Sequence, residues 1–144
     1  AVSIVTVVGS VRSLHIRLAS AAADTAETED QFIKYNTTNI TAGQQKHAYE
    51  IVSFVGTIEY DLLKNVSYAH LHGSFADHRG NVVGGHIMVG CTVYTTAEIT
   101  ILVQPMLKFT REMDSLSGYD ELVVRELDSF LIMKYIYQIY LTLK

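Results

Sequence analysis

Three imidazoles lie close together in this chain. His70 and His72 are separated by one residue, and His86 follows the pair Gly84-Gly85. Alternate residues of a β-strand point to one face, so His70 and His72 in a strand would aim their nitrogens at a common point. Neutral imidazole ligates divalent metals, and this spacing suits it. Ordinary strand histidines, hydrogen-bonded in a half-buried sheet, have the same spacing and are the commoner case.

Whether His86 joins the other two depends on the register of the intervening hairpin. If Asp77 and Gly80 flank a two-residue turn, Leu71 faces His86 across the hairpin, and His86 points away from His70 and His72. A bulge at Gly84-Gly85 would shift the register by one and gather all three rings. Alternatively, His86 would come from a neighbouring subunit. Three imidazoles leave a fourth tetrahedral position for water, the arrangement of an open zinc rather than a closed structural one. Glu98 is the candidate catalytic carboxylate. It or Asp77 would orient a ligand or accept a proton, although Glu98 reads equally as a solvated strand residue and Asp77 more readily as a turn former. There is no G-x-S-x-G elbow and no G-x-x-x-x-G-K-[ST] phosphate loop.

The elements that must position these residues read as mostly β. Residues 1–8 are rich in Val and Ile, Gly9-Ser10 interrupts them, and Leu14, Ile16 and Leu18 then alternate with Ser13, His15 and Arg17. Two strands joined by a tight turn are expected. Residues 19–46 read as a long, mostly exposed connection with a helical turn or a strand near Gln31 to Tyr35. Strands are expected at Tyr49 to Tyr60, with a bulge or a close backbone approach at Gly56, at Val66 to Ala76, at Asn81 to Val89 and at Cys91 to Gln104. Short strands at Lys108 to Glu112 and Leu122 to Arg125 flank a Ser-Gly-Tyr-Asp loop. Residues 130–144 are almost continuously apolar but short of the roughly twenty residues a membrane helix needs. A packed terminal helix or strand, or an interface segment, is expected there.

With 144 residues, one domain is expected. Only 18% of residues are charged and 49% are hydrophobic, a lean polar cover that burial in an oligomer would relieve. The net charge is -4, and the eleven Lys and Arg residues form no run, which argues against a charge-driven nucleic-acid binder. The single cysteine, Cys91, excludes an internal disulfide and fits a reducing compartment or an inert buried thiol, with its apolar surroundings favouring the buried thiol. A cytoplasmic protein is expected, or a nuclear one in a eukaryote, with no membrane partner. N-x-Ser/Thr sequons at Asn36, Asn39 and Asn65 read as chance, since no signal peptide is present, although a start at Ala1 rather than Met leaves room for a removed upstream segment.

One ordered set of motifs goes further. Tyr49-Glu50-Ile51-Val52-Ser53-Phe54-Val55-Gly56-Thr57-Ile58, His70-Leu71-His72, Asp77, Val83-Gly84-Gly85-His86, Gly90 and Thr95-Thr96-Ala97-Glu98 together resemble the plants-and-prokaryotes-conserved (PPC) domain. In plants this domain follows the AT-hook of nuclear DNA-binding proteins, and in bacteria and archaea it stands alone. Ala1 to Ala19 and Gly118 to Val124 are similar to it as well. The resemblance implies an α/β (α+β) fold, an antiparallel sheet with a helix packed beside it, assembled as a homotrimer. It also implies zinc on His70, His72 and His86, as in some standalone members. The strand and helix that precede the Ala1 region in the family have no counterpart here. The expectation is therefore an N-terminally truncated domain over 1–128 and a hydrophobic extension over 129–144. The plant partner segment Gly-Arg-Phe-Glu-Ile-Leu corresponds to His47-Ala48-Tyr49-Glu50-Ile51-Val52, which keeps Tyr49, Glu50, Ile51 and Val52 as candidate protein contacts while losing the Gly-Arg half. No Arg-Gly-Arg-Pro hook is present, so direct DNA binding, which the plant association suggests, ranks third behind the two readings below, with DNA-associated regulation kept within the first. The sequence supports a trimeric interaction and regulatory module with a three-histidine zinc site, and as the alternative a small metal-dependent enzyme acting there.

Overall fold

The computed structural model describes residues 1–19, 31–36, 48–61, 65–127 and 138–143. Among these residues the strands are β1 (Val2–Arg17), β2 (Phe32–Asn36), β3 (Tyr49–Asp61), β4 (Val66–Ala76), β5 (Val82–Ile87), β6 (Thr92–Val103), β7 (Leu107–Met113), β8 (Asp120–Glu126) and β9 (Gln138–Leu143). Every pairing among them is antiparallel. No helix occurs among the described residues, so the helix implied by the resemblance is not seen there.

β1 is the spine, and it corrects the expectation of two strands. The chain does not reverse at Gly9-Ser10. Gly9 instead takes φ +148, and a Cβ there would lie 2.0 Å from the Thr96 carbonyl oxygen. The ladder with β6 changes register between Gly9 and Val11. Glycine thus permits a bulge and a close backbone approach within one long strand.

β1 is long enough to hold two strands in succession on each edge. On one edge, β3 pairs with it up to Val11 and β2 takes over from Ser13. On the other, β6 pairs as far as Ser13 and β5 continues at Ile16 and Arg17. Because β4 pairs with both β3 and β5, the pairings β1–β3–β4–β5–β1 close into a ring. Inside it lie Val11, Leu14, Ile16 and Phe75, with Ile51, Phe54, Val83 and Ile87 packed against them. A second cluster of Ile4, Val7 and Ala97 fills the space toward β6. Buried Ser10 and Ser13 bond Thr95 and Thr92 across that ladder at 2.8 and 2.6 Å, so neither hydroxyl is orphaned. The half-buried Cys91 sits between β5 and β6, its Sγ 3.3 Å from the His15 amide, and burial pushes its thiol pKa up, as an unreactive thiol requires.

Outside the ring, β7 and β8 form the separate hairpin expected from their sequence. β2 falls where a strand near Gln31 to Tyr35 was expected, while residues 20–30 and 37–47 of that connection lie outside the described residues. Of the apolar tail, Gln138–Leu143 is β9, which extends the sheet beside β6; residues 128–137 and 144 are not among those described.

Candidate metal centre

The β4–β5 hairpin brings the histidines together by a route the sequence reading did not choose. His72 pairs directly with His86, and the ladder runs on through Gly73–Gly85, Ser74–Gly84 and Phe75–Val83 to Ala76–Val82 with no register shift. The bulge expected at Gly84-Gly85 is absent. What sets the parity is the loop, which has three residues, His78-Arg79-Gly80, rather than two. The Asp77 amide donates to the Asn81 carbonyl at 2.9 Å, and the Gly80 amide donates to the Asp77 carbonyl at 3.0 Å. Gly80 takes φ +81, the left-handed position that closes three-residue hairpins. Asp77 Oδ1 accepts from the Arg79 and Asn81 amides at 2.8 and 2.9 Å, and those bonds with the Asn81 side chain hold its carboxyl below the usual range. Asp77 therefore builds the loop, facing away from the histidines. The two glycines serve a different need. A Cβ on Gly84 would come 2.7 Å from the Gly73 oxygen, and one on Gly85 2.6 Å from the Arg17 oxygen, so β5 fits between β4 and β1 only without side chains there.

His70, His72 and His86 then form a near-equilateral triangle, with ring centroids 5.1, 5.0 and 5.3 Å apart. One ligating nitrogen from each lies within 4.8 Å of the others. His70 Nε2 and His72 Nε2 are 3.2 Å apart. In a tetrahedral site with Zn–N bonds of about 2.0–2.1 Å, ligand nitrogens stand roughly 3.3 Å from one another, a spacing His70 and His72 already have, while the group as a whole lies within 4.8 Å. His86 Nδ1 is buried with no hydrogen-bond partner. Burial, followed by the charges of Arg17, His70 and His72, lowers the pKa of His86 to about 4. Burial also lowers His70, with Arg111 and His72 adding to it and Glu121 opposing. Neutral, closely spaced imidazoles with an orphaned nitrogen are what a divalent metal requires, and the donor set fits zinc.

Arg111 of β7 ties the hairpin to this face. Its Nε donates to Glu59 Oε1 at 2.7 Å, one NH2 group donates to Thr57 Oγ1 at 3.2 Å, and the other faces His70 Nδ1 at 3.4 Å. Glu59 is 6% exposed, and its second oxygen is buried without a partner. Thr57 pairs with His70 and Glu59 with Tyr68, which puts these side chains on the histidine face of the sheet. The space between this face and the hairpin is a cleft of ≈ 810 Å³, bounded among others by His70, His86, Arg17, Arg111 and Glu121. Sequence reasoning missed Arg111, Glu59 and Arg17. Arg111 and Glu59 are 52 residues apart, and nothing local marks them as a pair. Arg17 could have been found, because its cross-strand partner is His86.

The remaining candidates lie elsewhere. Glu98 is exposed on β6 opposite Val8, nine residues along β1 from the Arg17–His86 pair, on the order of 25–30 Å away at strand rise. It is not among the residues bounding the cleft. Tyr49, Glu50, Ile51 and Val52 begin β3. Tyr49 stacks on Tyr35 with centroids 5.3 Å apart, Ile51 packs on the core, and Glu50 and Val52 face solvent.

A ring of antiparallel strands carrying a three-histidine face defines the class of this molecule. The chain belongs to the Plants and Prokaryotes Conserved (PCC) domain family, whose pattern matches residues 1–104. Among solved structures it is similar to a hypothetical protein from Salmonella cholerae-suis, with a TM-score of 0.65 and 29% identity over 87% of this chain and 73% of that one. A candidate DNA-binding protein from Ralstonia eutropha JMP134 has a TM-score of 0.63 at 20% identity, covering 85% of this chain and 72% of that one. A plant- and prokaryote-conserved (PPC) protein from Pyrococcus horikoshii has a TM-score of 0.52 at 21% identity, covering 83% and 71%. These last two likenesses are of fold. A 56-residue stretch is 46% identical to part of the bifunctional protein GlmU of Synechococcus sp. (strain JA-2-3B'a(2-13)), covering 39% of this chain and 9% of that protein. The chain thus spans less than a tenth of the curated relatives it matches. No helix among the described residues is long and apolar enough to cross a membrane.

Proposed function

We propose that this protein is a homotrimeric interaction and regulatory module whose His70, His72 and His86 hold one zinc ion. The observation that carries the reading is the even triangle of imidazoles, with centroids 5.0 to 5.3 Å apart, on a ladder held in register. Exposed Val5, Val8, Val52 and Val55 on the adjacent strands β1 and β3 supply apolar surface that association would cover. The likeness to a candidate DNA-binding protein supports a regulatory role, whereas a net charge of -4 favours protein partners over direct contact with DNA. Elemental analysis of purified protein, with its mass in solution, tests the reading. About one zinc per chain is expected, lost in the His70→Ala/His72→Ala variant while the trimer persists. Metal-free wild-type protein, purified without chelator, would overturn it, as would tight retardation of duplex DNA at moderate salt.

The cleft favours a second reading, a small metal-dependent enzyme, because it leaves the histidine face open to a small molecule. A bound zinc would polarise a ligand oxygen or lower the pKa of a water at its fourth position. Arg111 would hold the His70 ring, and Glu59 would hold Arg111. Retention of zinc in an Arg111→Gln variant together with loss of turnover of a screened substrate would favour this reading over the first.

A further inference from the structure

The cleft is charged unevenly. On the β1 side, Arg17 stands next to His86 in the ladder, and its guanidinium makes no hydrogen bond or ion pair with any described residue. On the hairpin side, β8 begins with Asp120 and Glu121, and neither carboxylate has an ion-pair partner among the described residues. The cations nearest these acids are already engaged: Arg111 is paired with Glu59, and Arg125 with Glu112. Lys108 pairs with Arg125 in register, toward the opposite end of the hairpin from Asp120. Beside the acids, Tyr119 also bounds the cleft, and Tyr60 and Tyr68 line its β3–β4 side. Aromatic rings next to free carboxylates are a favourable environment for an ammonium group. A guanidinium unpaired among the described residues, next to imidazoles spaced to hold a metal, favours a carboxylate. Glu59, whose buried Oε2 has no partner, bounds the cleft from the β3–β4 side and is paired there with Arg111.

We propose that this cleft binds a zwitterionic amino-carboxylate whose two charges lie at opposite ends, as in an ω-amino acid or a short peptide. The carboxylate meets Arg17 beside His86, the chain passes over the histidines, and the ammonium lies among Tyr119, Asp120 and Glu121. The carboxylate's contact with a metal rests on the zinc reading above; the two charged ends do not.

Calorimetric titration with 6-aminohexanoate, hexanoate and hexylamine separates the two ideas, provided zinc is measured on each sample. Both zinc-loaded and chelator-treated protein should bind 6-aminohexanoate saturably, about tenfold or more tighter than either singly charged probe. Arg17→Gln should weaken that binding by about tenfold with zinc content and melting temperature unchanged. Asp120→Asn/Glu121→Gln should remove the preference over hexanoate, which a merely structural role would not do. Equal binding of 6-aminohexanoate and hexanoate, no saturation by millimolar probe, or full affinity in Arg17→Gln would overturn the proposal. Absence of zinc with the probe preference intact would instead overturn only the metal reading.

Discussion

Arg111 is the residue through which the hairpin and the histidine face act on each other. Its partner Glu59 is almost wholly enclosed, so removing the guanidinium strands a carboxylate in a dry place. Arg111→Met should cost about 3 kcal/mol in urea unfolding, the scale expected when one partner of a buried pair is deleted. His86 gives a different test. Its pKa is about 4 in the folded chain against 6.5 for a free imidazole, so the unfolded state takes up a proton first as pH falls. The metal-free protein should therefore be most stable above pH 6.5, lose stability between pH 6.5 and about 4, and then level off. His86→Gln should flatten that slope, as read by thermal melts across the window. At this scale the sequence was informative about which imidazoles share a face, because i and i+2 in a strand is a local rule. It was silent on Arg111 and Glu59, because a contact spanning 52 residues leaves no local pattern.

At the scale of the element, the three-residue loop decides where His86 points. Gly80 adopts a left-handed backbone with open space around it, so Gly80→Ala should cost about 1 kcal/mol by conformational strain alone, measured by denaturant titration. The sequence held both parities, and reading Gly80 as a flanking residue gave the wrong one. The local cue was a glycine in third position, which suits a three-residue loop. Gly9 misled for a related reason: a positive φ serves a bulge as well as a turn, and only the partner strand decides between them. Gly85 carries its own prediction. A methyl group there would meet the Arg17 oxygen at 2.6 Å, so Gly85→Ala should push β5 from β1, destabilise by about 1–3 kcal/mol in urea unfolding, and weaken zinc retention.

For the whole molecule, a ring of four strands closed through β1 explains how so short a chain encloses a core. Phe75 is completely buried at its centre, and Phe75→Ala should cost about 3–5 kcal/mol in urea unfolding. Light scattering should give a particle of about three times the chain mass, and a monomer would remove the basis for covering the exposed valines. The alternating strands were readable from composition and period. Ring closure was not, since it depends on β1 being one strand instead of two. The family pattern ends at residue 104, and β7 begins at Leu107. The histidine floor is thus drawn from the stretch that defines the family, while the acidic and aromatic wall comes from the chain that follows. Two such parts can be altered separately: a descendant could keep its three imidazoles and change what settles above them by rewriting a single hairpin.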